Sequence, residues 1–121
     1  MAEKIDARAL LNEFTNGLGA YSNAGYEKNL GAFMDLLKVN GTPGALDAKT
    51  KELIQLGIAV TIRCVYCIVF HTYNAYKAGA TKAEILDVVG CTINMGGGPS
   101  AAYAATYLQA AADEFEHDFD K

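Results

Sequence analysis

No run of five like charges occurs anywhere in this chain of 121 residues. Lysine and arginine number 10 against 14 acidic residues, which gives a net charge of −4 and a pI of about 5.0. A general nucleic-acid-binding face needs clustered basic residues, so the charge pattern argues against that class. A secretory leader is not visible either: "MAEKIDARALL" scatters charges where a leader needs an unbroken apolar core. The most apolar stretch, "LGIAVTIRCVYCIVF", is interrupted by Arg63 and is too short to cross a bilayer comfortably. A soluble cytoplasmic protein with no membrane partner is the expectation. Three cysteines, an odd number, do not suit a disulfide framework. In a reducing cytoplasm a Cys-x-x-Cys pair signals metal binding or catalysis more than a structural staple. Period-two alternation is nearly absent, no hairpin turn lies between β-branched runs, and no internal repeat is evident.

What is present is apolar and helical. The length suits one domain spanning residues 1–121, with enough chain to bury a core. Apolar residues make up 51% of the chain, and twenty residues are alanine. That excess has two compatible readings: tight helix packing through alanine, and a surface buried against copies of the same chain. Ile5, Ala9, Leu10 and Phe14 predict an amphipathic helix over 3–18. "NGLGAYSNAG" reads as a loosening after it, and Leu30, Phe33, Met34 and Leu37 share one face of a second helix over 26–39. "NGTPGALD" is the clearest break, and Asp47 is placed to cap a third helix. The apolar face of that helix reads as Leu53, Ile54, Ile58 and Ile62. The helical pattern runs on through the cysteines to Ala78, with a restart near Arg63 left open, and Gly79 suits the position just past a helix end. Thr81 and Glu84 form a capping box for a helix to about Asn94, with Ile85, Val88, Val89 and Ile93 inward. "GGGP" ends that helix, and Pro99 opens an alanine-rich last one reaching about Glu116. The fold class is all-α, a bundle of five to six helices. The acidic segment from Asp113 to Asp120 reads as a solvated helix end, with His117 exposed.

The chemistry lies in "CVYCIVFH", residues 64–71. On a helix, Cys67 and His71 are four apart and share a face, and Cys64 lies one turn before Cys67. A thiolate is the reactive form of cysteine, and a neighbouring base activates it. Cys67 beside His71 therefore reads as an activated nucleophile, with Cys64 placed to close a disulfide with it. Sulfenic acid at one thiol followed by condensation with the other reduces a peroxide. A zinc-binding helical module is the rival, with Cys64, Cys67 and His71 as ligands and Cys91 or His117 as the fourth. Covalent haem needs histidine directly after the second cysteine, and Ile68 stands there. The bland reading is two buried cysteines and a core histidine.

The stretch from Glu52 to Thr81, "ELIQLGIAVTIRCVYCIVFHTYNAYKAGAT", resembles the carboxymuconolactone decarboxylase family, and more narrowly its alkylhydroperoxidase D branch. "GGGP" before an alanine-rich helix is similar to small members of the family, and the likeness covers about residues 25 to 115. The resemblance implies an all-helical homo-oligomer, with hexamer ahead of trimer. It implies a peroxiredoxin-like thiol peroxidase or disulfide reductase acting on a hydroperoxide, with a thiol or lipoyl-type electron donor and no cofactor. It further implies that Cys67 forms the sulfenic acid, that Cys64 donates a proton and then resolves it, and that His71 and Glu52 form the proton relay behind Cys67. One departure is visible. The alkylhydroperoxidase D site carries a second histidine between the cysteines, and this chain has Tyr66 there, a poorer base that can still pass a proton. The family's lactone decarboxylases generally lack the cysteine pair, so a lyase acting on a small lactone acid is the alternative reaction.

Other residues carry less. Without the resemblance, Glu52 reads as a solvated acid near a helix start. Arg63 could stabilise a thiolate or pair across a subunit interface. Tyr73 and Tyr76 read as packing or interface residues, and Cys91 as an inert helix cysteine. "GGGP" lacks the Lys-Ser/Thr and the preceding strand of a phosphate loop.

Overall fold

The computed structural model describes residues 4–121, and every element among them is helical. Six α-helices follow one another: α1 (Ala7–Tyr21), α2 (Glu27–Gly41), α3 (Ala48–Thr61), α4 (Val65–Lys77), α5 (Lys82–Tyr103) and α6 (Gln109–Phe115). Wider π-type turns join α1 to α2 over Ser22–Tyr26 and α5 to α6 over Ala104–Leu108. The helical residues thus form four continuous runs. Left-handed glycines bend the first and last of them, at Gly25 (φ 103°) and Gly97 (φ 65°). The expectation of five to six helices thus meets four continuous helical runs among the described residues.

The helix starts follow the capping chemistry. Asp6 accepts from the Ala9 N–H at 2.9 Å, and Asp47 accepts from the Thr50 N–H at 2.7 Å. Thr81 and Glu84 satisfy each other's backbone N–H groups, so the predicted capping box is present. Gly79, at φ 98°, terminates α4 as expected. The expected helix start at residue 3 lies outside the described residues. "NGLGAYSNAG" does not loosen the chain: α1 runs through it to Tyr21, and only Gly25 turns the backbone. "GGGP" bends α5 instead of ending it, and Pro99 sits in the first turn after the bend, where its missing N–H costs no hydrogen bond.

The core is made where α3, α4, the α5 start and α6 meet. Leu56 and Val60 of α3, Ile68 and Val69 of α4, Ile85 of α5, Leu108 and Phe115 are fully buried. The face of α3 expected to point inward is right only at Leu53, which packs against the core. Leu56, Ala59 and Val60 are buried, whereas Ile54, Ile58 and Ile62 are exposed. Ile93 of α5 is exposed as well, and α2 buries no residue at all. Tyr76 is a packing residue, buried and donating its hydroxyl to the Ala112 carbonyl at 2.6 Å. Tyr73 meets Phe115 and Phe119 edge-on.

The acidic C-terminal segment does more than meet water. Arg8 of α1 bonds Glu114 at 2.7 Å and Asp118 at 2.9 Å, with its guanidinium 5.1 Å from the Phe115 ring centroid. Lys82 bonds Asp113 at 2.7 Å. These pairs fasten α1 and the α5 start to α6, and so hold α1 across α4. His117 is exposed, as expected, and meets Asp120 at 2.9 Å.

Candidate active site

The α3 helix stops where the chemistry begins. Ile62 ends it, Arg63 takes a left-handed conformation (φ 61°), and Cys64 becomes the N-cap of α4. The Cys64 sulfur accepts the Cys67 N–H at 3.3 Å, the bond an N-cap serine oxygen ordinarily makes. This places one sulfur of the pair at the positive end of a helix of thirteen residues, a position that favours thiolate. The two cysteines are joined as a disulfide, with Cα atoms 5.2 Å apart. The structure therefore shows the oxidised form.

Cys67 lies one turn before His71 on the same face of α4. The His71 Nδ1 stands 2.7 Å from Glu52 Oε2, and both side chains are mostly buried. An ionised carboxylate only accepts, so Nδ1 carries the hydrogen and Nε2 is the nitrogen free to exchange a proton. Glu52 reaches His71 because it lies on the second turn of α3, on the side where α3 packs against α4. It is thus not the solvated first-turn acid its sequence neighbourhood suggests. The Phe70 ring packs edge-on against His71 at 5.2 Å between centroids and limits its movement.

Tyr66, between the cysteines, takes the other flank. Its hydroxyl donates to Glu13 Oε1 of α1 at 2.7 Å. Its ring stacks on Phe14 with centroids 6.0 Å apart, and Phe14 in turn meets Phe70 at 5.4 Å. The hydrogen bond to the Glu13 carboxylate, burial and the carboxylate's charge together raise the phenol above its ordinary pKa. Tyr66 has no bond to His71 or Glu52 in this state. Sequence reasoning missed Glu13, an exposed helix acid 53 positions away with no local signal.

Cys91 is exposed and sits apart from the pair. It lines an apolar groove of about 490 Å³ between α3 and α5, together with Ile54, Ile58, Ile62 and Met95. That groove lies on the side of α3 away from Glu52. Neither Cys91 nor His117 joins the cysteine pair, and among the described residues no three His, Cys, Asp or Glu side chains form a metal-holding group. Arg63 is exposed and makes no ion pair among the described residues. No helix among these residues is long and apolar enough to cross a membrane.

The arrangement has relatives. The family model described as the carboxymuconolactone decarboxylase family matches residues 27–110. An uncharacterised protein of Cupriavidus necator is 36% identical over 103 residues, covering 85% of this chain and 90% of its own. An uncharacterised protein of the cox locus of Paracoccus denitrificans is 36% identical over 99 residues, covering 82% of this chain and 87% of its own. Among solved structures, a carboxymuconolactone decarboxylase family protein of Legionella pneumophila, crystallised in its apo form, superposes with a TM-score of 0.84 at 36% identity, covering 91% of this chain and 96% of its own. A Thermotoga maritima member of that family, a candidate for a role in the antioxidative response, gives 0.70 at 28% identity, covering 92% and 96%.

Proposed function

The chain belongs to the carboxymuconolactone decarboxylase family, and within that family we propose that it is a thiol-dependent peroxidase or disulfide oxidoreductase working through Cys64 and Cys67. One observation carries this reading: the two cysteines close on each other one turn from a histidine whose Nδ1 lies 2.7 Å from a mostly buried carboxylate. The suggested antioxidative role of the Thermotoga relative points the same way.

In the reduced protein the Cys67 thiol passes its proton to Nε2 of His71, and the resulting thiolate attacks the hydroperoxide. A sulfur–oxygen bond forms, the oxygen–oxygen bond breaks, and the alkoxide takes a proton from His71 to leave as alcohol. The Cys64 thiolate then attacks the Cys67 sulfenic acid. The disulfide forms, the sulfur–oxygen bond breaks, and hydroxide leaves as water with one further proton. Glu52 keeps Nε2 of His71 available by binding Nδ1, and it compensates the imidazolium whenever the ring is charged. A thiol or lipoyl-type dithiol donor reopens the disulfide. A reducing, cytoplasmic setting fits that cycle. Homo-oligomerisation, hexamer ahead of trimer, belongs to the same reading.

The experiment is peroxide consumption under reducing conditions with the wild type, Cys67→Ser and the Cys64→Ser, Cys67→Ser double variant. Loss of turnover in Cys67→Ser is the expected result. Undiminished turnover in that variant removes Cys67 as the nucleophile. Lactone decarboxylation persisting in the double variant would establish the lyase reaction instead.

A further inference from the structure

Two carboxylate–ring pairs flank Cys67. Glu52 on α3 binds His71 on α4 at 2.7 Å, and Glu13 on α1 binds Tyr66 on α4 at 2.7 Å. On the α4 helix, Tyr66 and His71 project to opposite sides of the Cys67 direction. The proposed peroxide chemistry employs only the first pair. The second has the same construction, a carboxylate on a neighbouring helix holding a proton-carrying ring, yet it differs in what it can do.

The phenol hydrogen is already given to Glu13, so toward anything at the cysteine pair the Tyr66 oxygen offers lone pairs only. It can receive a proton as its own hydrogen passes to Glu13. It has none to give while Glu13 is ionised. The pair is therefore a base and not an acid. Peroxide cleavage starts from a thiolate and needs an acid for the leaving oxygen, a task for histidine. Disulfide reduction by a thiol needs the opposite. An ordinary thiol is mostly protonated near neutral pH and attacks only as thiolate. The Tyr66–Glu13 bond is moreover present with the disulfide closed, which is the form an electron donor meets.

We propose, resting on the thiol-oxidoreductase reading above, that Tyr66 and Glu13 form the base that deprotonates an incoming dithiol donor, with Glu13 as positioning residue and proton acceptor behind Tyr66. The donor S–H proton moves to the Tyr66 oxygen while the Tyr66 hydrogen moves to Glu13. The donor sulfur bonds to the Cys67 sulfur, the Cys64–Cys67 bond breaks, and Cys64 leaves with the electron pair as a thiolate held by the Cys67 N–H. The donor's second thiol then gives its proton to the Cys64 thiolate and its sulfur bonds to the first donor sulfur, while the bond to Cys67 breaks and Cys67 leaves with the electron pair as a thiolate. The donor ends as a disulfide and both cysteines end reduced. The substrate class assigned to this flank is a protonated dithiol.

The test compares two reductants on the oxidised full-length protein by single-turnover kinetics. Dithiothreitol must lose a proton to attack, whereas tris(2-carboxyethyl)phosphine carries no thiol proton. Tyr66→Phe and Glu13→Gln are each expected to slow reduction by dithiothreitol by about a hundredfold, the low end of general-base contributions. The double variant should be no slower than either single one. Reduction by the phosphine should stay at the wild-type rate. Equal slowing with both reductants would make the pair merely structural and overturn the proposal, as would wild-type rates with dithiothreitol. Disulfide reduction is measurable whether or not the protein consumes peroxide. Failure of the peroxidase reading, seen with Cys67→Ser, is therefore distinguishable from failure of this one.

Discussion

Arg63 holds a left-handed backbone immediately before the N-cap cysteine, and it does so as a residue with a Cβ. That conformation costs an L-residue roughly 1–2 kcal/mol. It is what turns the chain between α3 and α4 so sharply that Cys64, not Arg63, caps α4. Replacing Arg63 by glycine removes the clash but adds freedom to the unfolded chain, so a net gain of up to about 1 kcal/mol is expected. A β-branched residue such as valine should instead lose about 1 kcal/mol or more. Urea unfolding of the two variants gives the sign directly. Glu52 makes the corresponding prediction for chemistry. In Glu52→Gln the carboxylate that compensates a charged His71 is gone, and the peroxide half-reaction should slow by about a hundredfold. The melting temperature should move little. Cys64, Cys67 and His71 were legible because their spacings of three and four place them together on one helix. Glu52 is 19 positions from His71 on a different helix, and only the family resemblance pointed to it. Glu13 had neither kind of signal, since an acid on an exposed helix face looks the same whether or not another helix brings a phenol to it.

The helix caps read well, and the face of α3 only in part. The caps at Asp47, Thr81 and Gly79 depend on three or four neighbouring residues, so local sequence decides them. The face of α3 is a tertiary question. Apolar residues stand on two sides of that helix, and periodicity alone picks neither. Packing against α4 selects Leu56, Ala59 and Val60. The bend in α5 was misread for a similar reason. Glycines that could end a helix here bring its two parts close: a Cβ built on Gly96 would fall on the buried Ser100 hydroxyl. Gly96→Ala should therefore cost about 1–3 kcal/mol, as overpacking does. The double variant with Ser100→Ala should recover part of it. The clasp from α1 to α6 is weaker. Arg8→Ala removes half-exposed ion pairs and a cation over Phe115, for which about 1 kcal/mol is expected. The capping box adds a pH dependence. The Lys49 ammonium and the Thr81 backbone N–H hold the Glu84 carboxyl below its ordinary pKa of 4.5. The folded form thus binds the proton less readily than the unfolded one. The contribution is present above pH 4.5 and is lost as the pH falls through and below that value. In thermal melts between pH 7 and pH 3, Glu84→Gln should show a smaller acid-induced fall than the wild type.

At the scale of the molecule, the distribution of apolar surface remains to be accounted for. Ile54, Ile58, Ile62 and Met95 line one groove, and Phe33, Leu36 and Val39 of α2 are exposed on a helix that buries nothing. Single exposed apolar residues are ordinary, but contiguous ones on a chain with 51% apolar residues are not. The lining of the groove includes neither Cys64, Cys67 nor His71. The excess of apolar residues over what one small core absorbs was legible in the composition. Where the excess would sit was not, because it depends on which side of α3 the rest of the chain covers. The homo-oligomer proposed above accounts for it if a second copy lies on the α3–α5 groove. Ile58 is more than half exposed in the single chain, so a glutamate there should leave the isolated fold intact. In an assembly the same glutamate would be desolvated without a partner, at a cost of several kcal/mol per interface. Light scattering after gel filtration should show the wild type as a multiple of the 12.9 kDa chain and Ile58→Glu as a smaller species. Helical circular dichroism should be unchanged. A wild-type monomer at micromolar concentration would remove the homo-oligomer. An undiminished assembly in Ile58→Glu would keep the oligomer but move its interface off this groove, leaving α2 as the face that copies share.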